Sequence, residues 1–597
     1  MKTRADTSTH TSPAASINIT VDRADDVENE QSLGSSSAKE DEKHQYLGPR
    51  ALTLLGGSLL LVILLVTLDV SILATAIPKI TDHFHTIADI GWYPAAYMIT
   101  NASLQPLTGK VFTYFSLKPA FIAFVAIFEL GSLICALATS SKMLVVGRAI
   151  AGMGSSGLMN GVLTIFAVSA SPSVRPTMMG LLMSFAGAGQ VIGPLIGGAL
   201  TEHASWRWCF WINLPVGAVT IVATMFIGFP VYKAGKTNWT FRDVIRDFDI
   251  TGFAIFAPAC IMLLLALEWG GSTYSWSSAT IIGLFCGSAG AIIAFIIWEY
   301  RQGESAMIPV SLVRQRVIYS CLINAMFQYG GMTVFVYYLP LWFQVIKSLS
   351  PTMSAVNILP TFALQITSAI LIGALTPYFG YLAPPATMGS AFVTIAAGLT
   401  STLTTHTGAG KYVGYQILNG VGRGITMQQP IQAVQSIVSP AMIPVATATV
   451  AFAQTFGAAL FISLGQTTFI NLLSHALRTY APDVNAQDVI NTGATNYLAT
   501  LPAGGANADT RHGVLRAYNH AITSTFYLCV GCGAGAFVAS LGLGRTKLET
   551  KKDKKKRDQE KEDAQNRSEA DERRGDISSS SGLMESGTSG SARDGTS

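Results

Sequence analysis

Two charged residues of opposite sign interrupt long apolar stretches of the chain. Asp69 lies in the segment TLDVSILATAIP, and Arg148 lies five residues after Met143 in a second apolar stretch. In a helix that spans a membrane, one such charge costs about 2.5–3.5 kcal/mol on insertion scales, so two opposite charges at similar depth suggest an ion pair facing a common cavity. The proton affinity of that pair would depend on the distance between its members, which couples conformation to protonation. The alternative is a static pair that holds two helices together.

Two further charges lie inside apolar stretches. Glu129 is near the middle of one of them, where it is a second candidate for proton binding. The alternative for Glu129 is a structural hydrogen bond to the adjacent glycine- and serine-rich stretch. Arg423 needs either a partner or a water-filled cavity, because an isolated cation is costly inside a membrane. We expect Arg423 to line a substrate path.

Polar uncharged side chains and aromatic residues are frequent in the same stretches. This mixture favours a large amphiphilic pocket, suited to bulky and mostly neutral organic molecules rather than to sugars or inorganic ions. Contacts between packed helices are the alternative for many of them. The candidate cavity residues are Tyr97, Gln105, Gln190, Gln328, Tyr329, Gln416, Arg423 and Gln428.

Glycines are concentrated in two of the apolar stretches. Small residues four positions apart let helix backbones approach closely, and a proline inside such a helix adds a kink. Generic close packing is the alternative to a specific motif. The candidate packing residues are Gly152, Gly154, Gly187, Gly193, Pro194, Gly197 and Gly198.

The composition indicates a membrane protein. Only 12% of the 597 residues are charged and the mean hydropathy is +0.40, whereas soluble domains carry about 25% charged residues. The ends, 1–50 and 545–597, hold 40 of the 74 charged residues, which leaves 34 for the 494 residues between them. So little charge cannot cover a soluble domain of that size, which excludes soluble-enzyme, fibrous and disordered interpretations. No basic stripe outside the tails indicates a nucleic-acid partner.

A membrane-spanning helix needs about 20 consecutive apolar residues, and the chain contains fourteen such stretches. The predicted spans are Leu52–Ala76, Gly91–Phe112, Pro119–Thr139, Met143–Val168, Met178–Leu200, Phe210–Phe229, Ile250–Leu267, Ala279–Trp298, Tyr319–Val345, Met353–Leu375, Tyr381–Leu403, Val413–Val434, Ile443–Leu472 and Ala521–Leu541. We therefore predict an all-α membrane protein with fourteen transmembrane helices.

Two short motifs occur twice at matching places. The segment 109–116 after the second span resembles 373–380 after the tenth, and 147–154 in the fourth span resembles 415–422 in the twelfth. These echoes indicate two six-helix bundles with two helices inserted between them. The predicted organisation is a disordered N-terminal tail (1–50), an N-terminal six-helix bundle (51–230), two inserted helices with linkers (231–315), a C-terminal six-helix bundle (316–544, outer loop about 474–520) and a disordered C-terminal tail (545–597).

The distribution of positive charge predicts the orientation. Under this order of spans, one set of short loops carries most of the Lys and Arg residues of the central region. Short cytoplasmic loops are enriched in positive charge, and the even number of spans puts both tails on that side. Both termini are therefore predicted to be cytoplasmic. The N-terminal tail is polar and acidic, so no cleavable signal peptide is expected.

Several segments together resemble one transporter family. The segments are 68–78, 147–157, 187–198, 206–215, 266–271 and 414–430. They resemble the major facilitator superfamily and, within it, the fourteen-span drug:proton antiporters of fungi, over about 45–541. The resemblance implies the major facilitator fold, proton transfer at the arginine motif around Arg148, and export through the antiporter motif of the fifth span.

The resemblance predicts a plasma-membrane exporter of a small organic toxin, secondary metabolite or drug, driven by inward proton flow. An importer of the same fold, such as a siderophore or vacuolar amino-acid permease, is the alternative, and the vacuolar membrane is the alternative location. A non-transporting nutrient sensor is a second alternative, which the short low-complexity tails disfavour. No enzymatic activity, metal or cofactor is expected, because no metal-ligand cluster or nucleophile–base spacing occurs. The expected partners are an amphiphilic small molecule, protons and lipid, and a monomer is expected.

Overall fold

The protein is built from long helices. The computed structural model describes residues 48–84, 92–171, 174–226, 248–271, 274–492 and 507–544, with the single positions 497 and 559. Within this part of the chain, fourteen helices have fourteen residues or more. In chain order they are α1 (Pro49–Phe84), α2 (Trp92–Tyr114), α3 (Leu117–Ala136), α4 (Ser141–Ser169), α5 (Arg175–His203), α6 (Asn213–Phe226), α7 (Ile250–Trp269), α8 (Ala279–Gln302), α9 (Arg316–Ile346), α10 (Pro351–Phe379), α11 (Ala383–Thr400), α12 (Ala409–Thr426), α13 (Ile443–Tyr480) and α14 (Asn507–Leu541).

Local sequence signals mark where several helices begin. In an apolar environment every backbone polar group needs a partner within the protein, and a helix provides one for all but its terminal groups. Serine side chains cap three of the helix starts by accepting a hydrogen bond from a backbone N–H three residues later. The capping pairs are Ser140 with Met143 in α4, Ser278 with Ile281 in α8 and Ser350 with Met353 in α10.

Each predicted span overlaps one of the fourteen helices. The predicted sixth span divides into a one-turn helix, Trp208–Trp211, and α6, and the predicted twelfth span divides into α12 and a short helix, Gln429–Ile437. By length and composition, ten helices of the described residues could cross a membrane, and α2, α9, α11 and α12 are not among them. All four carry buried polar side chains. The predicted disordered tails lie outside the described residues, apart from 48–50 and 559.

The segment predicted as an outer loop, about 474–520, contains helical structure. α13 continues to Tyr480, a short helix spans Ala486–Thr492, and α14 begins at Asn507. Apolar side chains in these turns, such as Leu477 and Val514, are buried in a core shared with α9. Hydropathy reports the apolar part of a helix, so it places the boundary earlier than the backbone hydrogen bonds do.

Helix contacts arrange the chain around two groups of six helices. In the first group α1 packs on α5 and α6, and α4 packs on α2 and α3. In the second group α9 packs on α13 and α14, while α12 packs on α10 and α11. α5 contacts α10 and α2 contacts α13 across the two groups, and the pair α7 and α8 attaches through α7 to α2 and α13. We call α1–α6 the N-terminal bundle and α9–α14 the C-terminal bundle.

The hydrophobic cores join the two bundles at one end. One core combines residues near the start of α1 and the end of α4, such as Leu55 and Phe166, with Ile318 at the start of α9 and Val445 at the start of α13. Toward the opposite end each bundle has its own large core. Contacts between the bundles are smaller there: Val191 packs on the C-terminal core, and Ala459 of α13 packs on a small core that contains Ala95 and Ile99 of α2. The bundles are thus joined at the end where α1 begins, which we call the joined end.

Candidate functional site

Asp69 of α1 and Arg148 of α4 form the ion pair that the sequence predicts. The Arg148 Nη1 donates to Asp69 Oδ2 at 2.7 Å, and the side chains of Asp69 and Arg148 are 0% and 1% exposed, respectively. Glycines let α4 approach its neighbours closely: a Cβ on Gly152 would overlap Tyr97 of α2, and one on Gly154 would overlap the Phe128 backbone of α3. The predicted packing glycines of α4 therefore lie at its close contacts with α2 and α3, and the long Arg148 side chain reaches Asp69 of α1.

Other groups of α2 and of the segment before α6 hold the guanidinium in place. Arg148 Nε donates to the Tyr93 carbonyl at 3.2 Å. The guanidinium carbon lies 4.4 Å from the centre of the Tyr97 ring and 6.0 Å from that of Phe210, distances at which an aromatic ring attracts a cation. Tyr97, predicted to line a cavity, is buried here against the cation.

Asn213 at the start of α6 completes the site. Its Nδ2 donates to Asp69 Oδ1 at 2.9 Å and to Ser132 Oγ at 3.1 Å. Both carboxylate oxygens of Asp69 are therefore occupied, one by Arg148 and one by Asn213. Asn213 was not among the predicted site residues. The sequence feature that could have identified Asn213 is its amide side chain in a mainly apolar helix. An amide is costly to bury without a hydrogen-bond partner.

Glu129 of α3 lies beside this site and has a different environment. Both of its carboxylate oxygens are buried without a hydrogen-bond partner. The side chain packs against Gly217 of α6, where any larger residue would overlap it. The hydrogen bond to α4 that was the structural alternative is absent from this conformation. Glu129 precedes Ser132 by about one helical turn, and Ser132 is bonded to the Asn213 that contacts Asp69.

The glycines of α5 pack directly on α1. Gly189, Gly193 and Gly197 face, respectively, Thr67, Ser71 and Thr75 at the same four-residue spacing. The Ser71 hydroxyl donates to the Gly189 carbonyl at 3.0 Å. Gly193 and Gly197 lie in this contact together with Gly189, which was not among the predicted packing residues.

The remaining motif residues of α5 lie elsewhere. Gly187 faces Ile366 of α10, across the two bundles, and nothing lies within 4 Å of a Cβ built on Gly198. Pro194 lies inside α5, which continues as one helix from Arg175 to His203. Of the predicted glycines of α5, Gly193 and Gly197 therefore contact α1, Gly187 contacts the other bundle, and Gly198 has open space beside it.

Replacing Gly193 with alanine is expected to destabilise the protein by about 1–3 kcal/mol, the usual cost of overpacking. The added methyl group would lie within 3 Å of the Ser71 Cβ, so rotation of the hydroxyl cannot relieve the overlap. Gly198→Ala is the matched control, and we expect it to be neutral or stabilising by up to about 1 kcal/mol, since alanine favours a helix. Thermal midpoints of the purified variants measure both. Equal midpoints would contradict close α1–α5 packing.

Six of the eight predicted cavity residues are buried in this conformation, and Gln190 and Tyr329 are partly exposed. Four of the buried glutamines bond to a neighbouring segment. The contacts are Gln105 with Thr455 at 3.1 Å, Gln328 with Ser390 at 2.9 Å, Gln416 with Thr361 at 3.1 Å and Gln428 with the Ala369 carbonyl at 3.3 Å. In this conformation these side chains therefore connect packed segments, and their role in a cavity stays a prediction.

Comparison with known proteins gives the family. The sequence profile of the Major Facilitator Superfamily matches residues 59–462. The chain is 45% identical over 495 residues to the MFS-type transporter pigP of Monascus ruber, covering 83% of this chain and 86% of that protein. It is 43% identical over 534 residues to the efflux pump mlcE of Penicillium citrinum, covering 88% and 96%, respectively.

A solved structure shows the same fold. The proton:xylose symporter XylE matches with a TM-score of 0.54 at 12% identity, over 83% of this chain and 95% of that one. Identity this low supports a likeness of fold alone, and it agrees with the two bundles described above. The profile match and the close relatives show more: this multi-pass membrane protein belongs to the Major Facilitator Superfamily.

Proposed function

We propose that the protein is a proton-coupled exporter of a small organic toxin, secondary metabolite or drug, and that it works by alternating access. The observation that carries the proposal is the buried ion pair of Asp69 and Arg148, joined at 2.7 Å inside the N-terminal bundle. Keeping two charges in a membrane interior is energetically unfavourable. A pair that forms and breaks during transport would give these charges a role in proton binding. Export is supported by relatives named as efflux pumps.

The pair offers two states that differ in protonation. In the observed state Arg148 and Asn213 occupy the two carboxylate oxygens of Asp69. Movement of α4 away from α1 would leave the carboxylate without its cation in an apolar interior, where binding a proton costs less than remaining charged. The guanidinium would keep the Tyr93 carbonyl and the Tyr97 ring as contacts. Return of Arg148 would then displace the proton.

Glu129 fits a second proton-binding position in the same bundle. Its buried carboxylate has no donor partner, and an uncompensated anion is costly in such a place. A protonated Glu129 avoids that cost. Ser132 and Asn213 connect the neighbouring turn of α3 to Asp69. Asn213 Nδ2 donates both of these bonds, so the connection positions α3 against Asp69 and does not itself carry a proton.

The energy of inward proton flow is sufficient for export. One proton crossing about 100 mV yields about 2.3 kcal/mol, and a difference of two pH units adds about 2.7 kcal/mol. The total of about 5 kcal/mol supports a cargo gradient on the order of 10³-fold. One proton per cargo molecule therefore suffices for a useful gradient.

The joined end is where alternating access must open the protein. We place both tails in the cytosol, which puts the joined end on the cytosolic side, so cargo would load only after the joined end separates. Small polar contacts between α5 and α10 hold part of it: Thr177 Oγ1 donates to the Gly373 carbonyl at 3.2 Å and Ser184 Oγ to the Ile366 carbonyl at 3.3 Å. Each such bond contributes about 0.5–1.5 kcal/mol, which suits a reversible closure.

A disulfide between α5 and α10 is expected to stop transport. A Cβ on Gly187 would lie 3.4 Å from Ile366 Cγ1, so Gly187→Cys with Ile366→Cys places two sulfurs within bonding reach. The exposed Cys286 is replaced by serine to avoid side reactions. We expect transport to fall to background after oxidation and to recover after reduction, with the single-cysteine variants as controls. Normal transport by the fully cross-linked protein would contradict the opening of this interface.

The direction of cargo movement tests the main proposal. In everted plasma-membrane vesicles with an acidic lumen, we expect a panel of amphiphilic dyes to include compounds that accumulate inside, and accumulation to stop when an uncoupler removes the proton gradient. An importer of this fold would instead deplete the lumen, and a sensor would bind ligand without flux. The proposal places a monomer in the plasma membrane, with the vacuolar membrane as the alternative, and assigns it no enzymatic step.

A further inference from the structure

Arg423 of α12 is a buried cation whose described contacts include no acidic residue. Its side chain is 1% exposed. Its Nε donates to Asn419 Oδ1, and its Nη1 donates weakly to the Gln328 carbonyl at 3.4 Å. The guanidinium carbon lies 5.6 Å from the centre of the Phe335 ring, while Nη2 has no partner. A positive charge in this bundle is thus left without a negative one.

The sequence supplies no carboxylate that could neutralise Arg423 from within its own bundle. Between 316 and 544 the acidic residues are Asp483, Asp488 and Asp509, which all lie between the end of α13 and the first turn of α14. Arg423 follows the start of α12 by fourteen residues, or roughly 21 Å along the helix axis. The counter-ion must therefore come from outside the C-terminal bundle.

Arg423 belongs to a row of unused hydrogen-bond donors. Gln416, Asn419 and Arg423 are spaced three and four residues apart, so they share one face of α12. Each is buried, and each has a nitrogen without a partner: Nε2 of Gln416, Nδ2 of Asn419 and Nη2 of Arg423. Buried donors are rarely left unpaired in proteins, and three on one face indicate a place that receives acceptor atoms.

The N-terminal bundle contains a buried arginine that does have an acidic partner, and it can be compared with Arg423. Gly152 and Gly154 of α4 pack on α2 and α3, and the corresponding Gly420 and Gly422 of α12 pack on α10 and α11. The two helices therefore occupy equivalent places in their bundles. By the same spacing Gln416 corresponds to Arg148, and Arg423 lies two helical turns further along α12. Arg148 has a carboxylate from α1, whereas Arg423 receives from α9 only a distant backbone carbonyl.

We propose that the face of α12 formed by Gln416, Asn419 and Arg423 binds an anionic group of the cargo, a carboxylate or an equivalent oxyanion, during the transport cycle. The inference rests on the proposed export function and narrows its cargo to amphiphilic organic acids. A guanidinium is the side chain best matched to a planar oxyanion, because it presents paired N–H donors. The two amide donors extend the same face and would bind the remaining oxygen lone pairs.

Binding of matched charged and neutral probes tests the proposal. The purified full-length protein is titrated with radiolabelled benzoate and, separately, with benzamide, which has the same shape without the charge. We expect benzoate to bind at least tenfold more tightly than benzamide. Arg423→Gln should remove that preference, Arg423→Lys should keep part of it, and Arg316→Gln, at an exposed arginine, should leave it unchanged.

Three outcomes would overturn the proposal. These are equal binding of the two probes to the unaltered protein, a benzoate preference that persists in Arg423→Gln, and complete competition by chloride, which would assign the site to an inorganic ion. The thermal midpoint is a second readout. Arg423→Gln should melt at or above the unaltered protein, because it removes an unpaired charge, and a much lower midpoint would reveal a structural partner. The binding assay needs no proton gradient, so it tests the anion site separately from export. If the protein prefers benzoate but does not export cargo, the export proposal fails and the anion site stands.

Discussion

Asp69→Asn is expected to abolish uphill export while leaving the protein folded. Asparagine keeps one oxygen that can accept from Arg148, but its Nδ2 stands where an oxygen accepts from Asn213, so one of the two contacts is lost. The Arg148 guanidinium retains the Tyr93 carbonyl and the Tyr97 ring, so the variant is expected to fold with reduced stability. Asparagine cannot take up a proton, and the two protonation states on which coupling depends are lost. Proton-driven accumulation in everted vesicles should therefore fall to background, a loss of at least about 100-fold at a gradient of 10³. Downhill exchange of cargo should continue.

The matched control is Asp483→Asn, the same chemical change at an exposed aspartate beyond α13. It should transport as the unaltered protein does. Unchanged uphill transport by Asp69→Asn would exclude Asp69 from coupling and shift attention to Glu129. Loss of downhill exchange together with uphill transport would indicate that Asp69 is needed for the conformational change itself.

Arg148→Gln is expected to destabilise the protein strongly. Removing the cation leaves the Asp69 carboxylate buried, with Asn213 as its remaining contact. Breaking a buried pair from one side costs about 3–5 kcal/mol, because the other charge is left uncompensated. Adding Asp69→Asn to Arg148→Gln removes that charge and should restore most of the loss. The double variant is thus expected to be more stable than the single arginine variant, although it carries one more substitution.

A double-mutant cycle measures this coupling. Thermal or denaturant midpoints of the four proteins in one detergent give the interaction free energy between the two positions. Additive losses would show that the two side chains do not depend on each other and would contradict the ion pair. Arg423→Gln provides the comparison at an arginine without a carboxylate, where no such loss is expected.

The sequence predicts well those features that have a large cost in a membrane. Asp69 and Arg148 could be identified because one charge in an apolar stretch needs a partner. Ten of the long helices in the described residues could be identified because each is apolar over a membrane-spanning length. Gly193 and Gly197 could be assigned to packing because small residues at a four-residue spacing form a continuous face. These inferences use only the position of a residue along its own helix.

Features that depend on the rotation of one helix against another were not predictable. Asn213 reaches Asp69 only because α6 lies beside α1 and α3, and Gly189 meets Thr67 only in the observed register of α5 on α1. A glutamine in an apolar stretch looks the same in the sequence whether it lines a cavity or bonds to a neighbouring helix. The sequence therefore could not assign the buried glutamines to either role. Polar helix ends such as the last turns of α13 have no hydropathy signal, although backbone hydrogen bonds continue through them.

The joined end, where one core serves both bundles while the opposite end keeps two, has a pharmacological consequence. In the proposed orientation, with both tails in the cytosol and the protein in the plasma membrane, the unjoined end is the one that faces solutes outside the cell. An inhibitor that wedges between the two separate cores would not have to enter the cell to act. Such a blocker can be large and membrane-impermeant. It would therefore not need the small size and amphiphilic character expected of the cargo.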